Sequence, residues 1–262
     1  MFPKLISIGH FFVPTYGTLV ALGFLMGLWV TVRLARRSKL PTEPVTNLAI
    51  YCALAGLAGA KLFMILFDFG DYWNGSRKLF SMDTLQAAGV YQGGFLLALV
   101  TAALYIRHNR LPGLPTCDVF APGIALGQAI GRIGCFSAGC CWGVESHLPW
   151  SVTFRNPEAW NLTGVPLGVP LHPTQLYESV ADALIFFFLY RAISRPHQPG
   201  AILGWYLALY SSARFVIEFY RFHEQGLHFG LSYTQWISLA TLLAGVALLI
   251  TRRSAPKLAL ST

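Results

Sequence analysis

Charged residues stand inside apolar runs of this chain, and their spacing suggests the chemistry they could do. Tyr210, Arg214, Glu218 and Arg221 follow one another in steps of four, four and three. In a helix such steps put all four on one face. On one reading Arg214 pairs with Glu218 a turn away and Arg221 reaches out to an interface. On the other, the stripe binds an anion and Glu218 orients the arginines. A second arginine stands in the run Gly127-Gln-Ala-Ile-Gly131-Arg132-Ile-Gly134-Cys135. Gly127 and Gly131 form a small-xxx-small pair that lets another helix approach closely. Packing explains those glycines but not Arg132. A guanidinium presents a rigid fork of donors that fits a phosphate, and glycines beside it free backbone N–H groups for an anion.

Further polar positions are open to two readings. His172-Pro173-Thr174-Gln175-Leu176-Tyr177-Glu178 begins with a helix-start signal. Glu178 and Asp182 then fall on one helix face, either as a polar helix entrance or as part of a site. Gly89-Val90-Tyr91-Gln92-Gly93-Gly94 and Tyr16-Gly17 fit helix packing or polar contacts in a cavity. Cys135, Cys140 and Cys141 follow a C-x4-C-C spacing, which matches no zinc pattern. Three roles stay open for them: small buried hydrophobes, a disulfide from Cys135 to Cys140 or Cys141, or a metal or catalytic role. No metal ligand set and no cofactor is assigned from the sequence.

The elements that carry these residues are membrane helices. Hydrophobic types make up 55% of the 262 residues and charged types 11%, whereas soluble domains carry about 25% charge. Mean hydropathy is +0.53. About 20 apolar residues span a bilayer. Seven segments qualify: Tyr16 to Leu34, Val45 to Phe67, Thr84 to Ile106, Asp118 to Phe136, Thr174 to Ile193, Ala201 to Phe219, and Tyr233 to Ile250. The expectation is an all-α integral membrane protein forming one transmembrane domain over residues 1–262. A long outer loop, 137–173, would join spans four and five, and 251–262 would be a cytoplasmic tail. No small-residue cleavage site precedes the first span, so it is expected to stay in the mature protein.

A charge inside such a span costs roughly 2.5–3.5 kcal/mol even on lenient scales, so it marks a polar cavity and a partner. Orientation follows from the loops. Arg33, Arg36, Arg37, Lys39, Arg107, Arg110, Arg191, Arg195, Arg252, Arg253 and Lys257 fall on one side, against Lys4, Arg77, Lys78 and Arg155 on the other. The N-terminus is expected outside and the C-terminus in the cytoplasm. The net charge of +8 is then a topology signal with some attraction to anionic lipid heads. Nucleic acid is excluded as a partner, because no basic face with interleaved aromatics lies outside the spans.

Several of these motifs, in order along nearly the whole chain, resemble the prolipoprotein diacylglyceryl transferase family. They are Tyr16-Gly17, Gly131-Arg132-Ile-Gly134 with Gly139, Trp142-Gly143 and Leu148-Pro149-Trp150, the His172-to-Glu178 run, Arg214-to-Arg221, and Gly230-Leu231-Ser232-Tyr233-Thr234-Gln235-Trp236. The resemblance implies an enzyme of the bacterial cytoplasmic membrane. It would move the diacylglyceryl group of phosphatidylglycerol to the lipobox cysteine of a prolipoprotein signal peptide and release glycerol phosphate. Arg132 and Arg214 would hold the head group, Glu218 would orient Arg214, and Arg221 would support them. Tyr16, Gly143, Tyr177 and Glu178 would contact substrate. The family pattern carries a histidine, a candidate base for the thiol, where this chain has Gln92. It carries asparagine at Cys135 and glutamate at Cys140. His172 is then the candidate for the missing base. The alternatives are a divergent relative that binds or transports phospholipid or uses another acceptor, and a small-anion transporter.

Overall fold

The computed structural model describes residues 4–8, 11–74, 89–223 and 226–252. Strands β1 (Lys4–Ile8) and β2 (Phe11–Pro14) pair antiparallel. Helices follow: α1 (Thr15–Arg37), α2 (Thr42–Phe67), the short α3 (Phe69–Trp73), α4 (Tyr91–His108) and α5 (Gly113–Ala138). Between α5 and the next long helix lie the strand pair β3 (Val152–Thr153) and β4 (Pro170–Leu171) and the short α6 (Pro157–Thr163). Helices α7 (Thr174–Ala192), α8 (Ala201–Glu218) and α9 (Tyr233–Thr251) complete the order. Prolines 14, 41 and 173 stand at the starts of α1, α2 and α7, where a missing N–H costs nothing. Ser232 and Gln235 form a capping box at the start of α9.

Helices occupy each expected segment, with shifted ends. The third begins at Tyr91, and 84–88 of its expected length lie outside the described residues, as do Arg77, Lys78, Arg253 and Lys257. The fourth is longer than expected and runs through Pro122. Among the described residues four helices, α1, α2, α5 and α9, are long and apolar enough to cross a membrane. They display large apolar side chains outward, such as Leu25 at 60% exposure, Leu57 at 69% and Leu243 at 69%. Water does not reward such a surface, but lipid does. The protein is a mostly helical, multi-pass membrane protein.

Contacts gather into two compact units, residues 40–116 and residues 1–39 with 117–262. In the first, α2 and α4 meet at backbone distance. A Cβ on Gly59 would stand 2.5 Å from the Gly93 carbonyl oxygen, and one on Gly94 would stand 2.6 Å from that of Gly56. In the second unit α1 and α5 do the same: Cβ atoms on Gly23 and Gly27 would stand 2.8 and 2.6 Å from the carbonyls of Gly127 and Gly123. The close approach expected at Gly127 and Gly131 therefore uses Gly123 and Gly127. Gly131 meets nothing within 4 Å, because it has turned away from the α1 seam. Asp118 of α5 caps α8, accepting from Gly200 N at 2.6 Å and Leu203 N at 2.8 Å. The 139–173 segment has its own small core of Phe154, Ala159, Val165 and Leu171, with Trp142 packed against it.

Candidate active site

The stripe on α8 meets two other helices of the same unit. Arg214 Nη2 pairs with Glu218 Oε2 at 2.8 Å, one turn along the helix. Its Nη1 reaches Glu178 Oε1 of α7 at 2.5 Å. Arg221, just past α8, reaches the same oxygen at 3.1 Å. Arg132 of α5 pairs through Nε with the other oxygen, Glu178 Oε2. Self-neutralisation along α8 is thus one contact of a larger cluster whose hub is Glu178. Ser232 Oγ donates to Glu218 Oε1 at 3.1 Å and fixes that carboxylate from the head of α9. The glutamate side chains are 6% and 3% exposed, the arginines 13–22%. A guanidinium carries five N–H donors. The carboxylates use one or two nitrogens on each, so the forks are oriented and donors remain for an anion.

Beside the cluster opens a cavity of about 820 Å³, lined among others by Cys141, Trp142, Gly143, Val169, Arg221 and Phe222. Gly143 is threaded between two chain segments. It forms a bridge with Arg221, and its N–H donates to the His172 carbonyl at 3.0 Å. A Cβ there would stand 2.5 Å from Tyr220 O and 2.6 Å from His172 Cβ, so only glycine fits. Trp142 stacks on Phe222 with ring centroids 6.0 Å apart. His172 is buried, with Nδ1 3.1 Å from the Tyr177 hydroxyl, which also accepts from Trp150 Nε1 at 2.8 Å. Tyr16, at the head of α1, lies in the electrostatic surroundings of Arg132 and the three clustered cysteines.

Those cysteines are free thiols whose sulfurs lie within 4.8 Å of one another. Hydrogen bonds from Cys135 and Cys140, with the Arg221 and Arg132 charges, hold the Cys141 thiol below the ordinary thiol range. The same shared bonds push Cys140 up.

Sequence reasoning pointed to Arg132, Arg214, Glu218, Arg221 and Glu178, and these come together. Gly143 joins them through its bridge to Arg221, while His172, Tyr177 and Trp150 form a linked group beside it. Gln92 belongs to the other unit, where it is exposed in the first turn of α4. Three contributors, Thr174, Gln175 and Ser232, had no role assigned from the sequence, whereas Asp182 was a candidate on the same face as Glu178. Thr174 Oγ1 and Gln175 Nε2 donate to the carbonyls of Cys141 and Cys140, at 2.8 and 2.6 Å. Ser232 holds Glu218; its S-x-x-Q capping pattern was the available signal. Asp182 is 2% exposed, with Arg132, Glu178 and Arg214 as electrostatic neighbours. Its Oδ2 has no hydrogen-bond partner among the described residues.

The fold and this cluster define a membrane-embedded protein built to hold three oriented arginines beside an open cavity. The sequence pattern of the prolipoprotein diacylglyceryl transferases matches residues 3–251. The chain is 30% identical over 246 residues to a phosphatidylglycerol–prolipoprotein diacylglyceryl transferase of Clostridium tetani, covering 94% of this chain and 96% of that protein. It is 33% identical to the one of Finegoldia magna (90% and 89% covered) and 32% identical to the one of Burkholderia thailandensis (95% and 93%). The chain belongs to the prolipoprotein diacylglyceryl transferase family, transferases of lipoprotein biosynthesis.

Proposed function

We propose that this chain transfers the diacylglyceryl group of phosphatidylglycerol to the lipobox cysteine thiol of prolipoproteins. The observation that carries this is the convergence of Arg132, Arg214 and Arg221 on Glu178 beside a cavity. When the glyceryl carbon–oxygen bond breaks, negative charge develops on the departing glycerol phosphate. Donors already oriented toward that charge lower the barrier without reorganising. Arg132 and Arg214 take the phosphate, Arg221 supports them, and Glu178 and Glu218 hold the forks in place. Gly143 and Tyr177 shape the approach of the signal peptide, and Tyr16 contributes a polar contact. His172 is the position assigned to acceptor activation, since the Gln92 amide cannot take up a proton. The same reading places the protein in the bacterial cytoplasmic membrane as one transmembrane domain. Seven helices cross, the N-terminus and the 137–173 loop face outward, and the C-terminus faces the cytoplasm.

The test uses purified protein in phosphatidylglycerol-containing bilayers with a lipobox peptide, read by mass spectrometry. Diacylglyceryl peptide should form, and Arg132→Ala should abolish it. Phosphatidylglycerol that co-purifies without turnover would instead make the chain a lipid-binding relative.

A further inference from the structure

The proposed roles leave three thiols at the end of α5 without a task. Their convergence is built by the backbone. Helix α5 ends on Gly139 at φ +82°, and Cys141 takes φ +63°, a conformation uncommon for a residue with a Cβ. Surroundings must impose such a turn, and here α7 does so. Gln175 and Thr174 hold the Cys140 and Cys141 carbonyls, and Cys140 N donates to Cys135 O at 3.1 Å. Cys135 is buried, Cys140 and Cys141 are half-buried, and Cys141 lines the cavity with Gly143 and Arg221.

We propose that Cys135, Cys140 and Cys141 hold a soft divalent cation of the zinc class through three thiolates, with a fourth position open for the acceptor thiol. Zinc–sulfur bonds of about 2.3 Å at tetrahedral angles put sulfurs about 3.8 Å apart. Sulfurs already within 4.8 Å of one another reach that spacing by side-chain adjustment of about 1 Å or less. Thiolates select soft cations such as zinc over magnesium or calcium. Three protein ligands with one open position is the arrangement of catalytic rather than structural zinc. The complex of three thiolates and a divalent ion carries one negative charge, offset by the neighbouring Arg132 and Arg221.

Resting on the transferase reading, the site answers how the acceptor is activated where Gln92 offers no proton acceptor. A thiol that coordinates such a cation gives up its proton, here to water. The sulfur lone pair then forms the S–C bond to the glyceryl carbon. The C–O bond to phosphate breaks, and its electrons leave with glycerol phosphate toward Arg132 and Arg214. The cation changes neither oxidation state nor identity.

The test takes the reduced, full-length chain in bilayers, loads it with zinc or cobalt(II), and measures metal content and the thiolate-to-cobalt charge-transfer absorption. One equivalent per chain is expected. It should persist in Cys52→Ser and vanish in Cys135→Ser/Cys140→Ser/Cys141→Ser. That triple variant must still melt cooperatively and co-purify with phosphatidylglycerol; failing this, the single serine variants, each with weakened cobalt absorption, carry the test. Stripping the metal should lower peptide lipidation at least tenfold, and zinc should restore it. Equal cobalt binding with and without the three thiols, or full-rate lipidation by stripped protein, overturns the proposal and leaves the transferase reading intact. A stoichiometric thiolate–cobalt site with no lipidated peptide under any loading refutes the transferase reading while the cation site stands.

Discussion

Replacing Glu178 by glutamine separates two roles for that residue: contact with the lipid, or orientation of the arginines. Its Oε1 accepts from Arg214 at 2.5 Å and Arg221 at 3.1 Å, and its Oε2 faces Arg132 Nε. Glutamine keeps one carbonyl oxygen, enough for the first two. Its amide N–H groups then meet the Arg132 N–H, donor against donor. The buried ion pair between Arg132 and Glu178 is lost, a contact between charged groups worth about 1.5–3 kcal/mol, and Arg132 loses its aim. If that aim is needed only as charge develops, the loss falls on turnover: roughly 10- to 100-fold in kcat. The variant also gains one unit of positive charge, so phosphatidylglycerol should bind no more weakly. The assay titrates phosphatidylglycerol at fixed lipobox peptide and follows diacylglyceryl peptide by mass spectrometry. The expected result is a lower kcat with KM unchanged or lower. A raised KM at unchanged kcat would refute the reasoning and return Glu178 to the lipid-contact role the sequence suggested.

Gly143→Ala should lower both activity and thermal stability, because its methyl group meets Tyr220 O and the His172 backbone; overpacking of this kind costs about 1–3 kcal/mol, read as a fall in Tm. Gly27→Ala should destabilise by a similar amount, since its Cβ would stand 2.6 Å from the Gly123 carbonyl, whereas Gly131→Ala, with nothing within 4 Å, should leave the melting curve where it is. Asp118→Ala uncaps α8 by removing two backbone contacts and should cost about 0.5–2 kcal/mol, measured by thermal unfolding in detergent.

The parts of the site legible in the sequence are those a helix repeats locally. Arg214 and Glu218 pair because they are four residues apart, and period alone reveals it. The hub was not legible. Glu178 lies 36 positions from Arg214 and 43 from Arg221, and only the packing of α7 on α8 joins them. The glycine seam was read one turn off, because small residues occur at Gly123, Gly127 and Gly131 and spacing does not say which face α1 meets. The cysteines were left with three roles because their convergence depends on a left-handed turn at Cys141 and two pegs from another helix, none of which leaves a pattern in the cysteine spacing. Helix ends shifted by several residues, as they do where apolar runs fade gradually.

The first two turns of α7 act as a gauge block. Gln175 grips the cysteine turn and Glu178 grips the arginines, three residues apart on one rigid rod. With a rise of 1.5 Å per residue, the two grips stand about 4.5 Å apart along the axis. The thiol end and the phosphate end therefore share one ruler, and thermal motion of α7 carries both together. The count of residues between the grips therefore cannot change. One added residue would turn Glu178 about 100° around the helix and point it away from all three arginines.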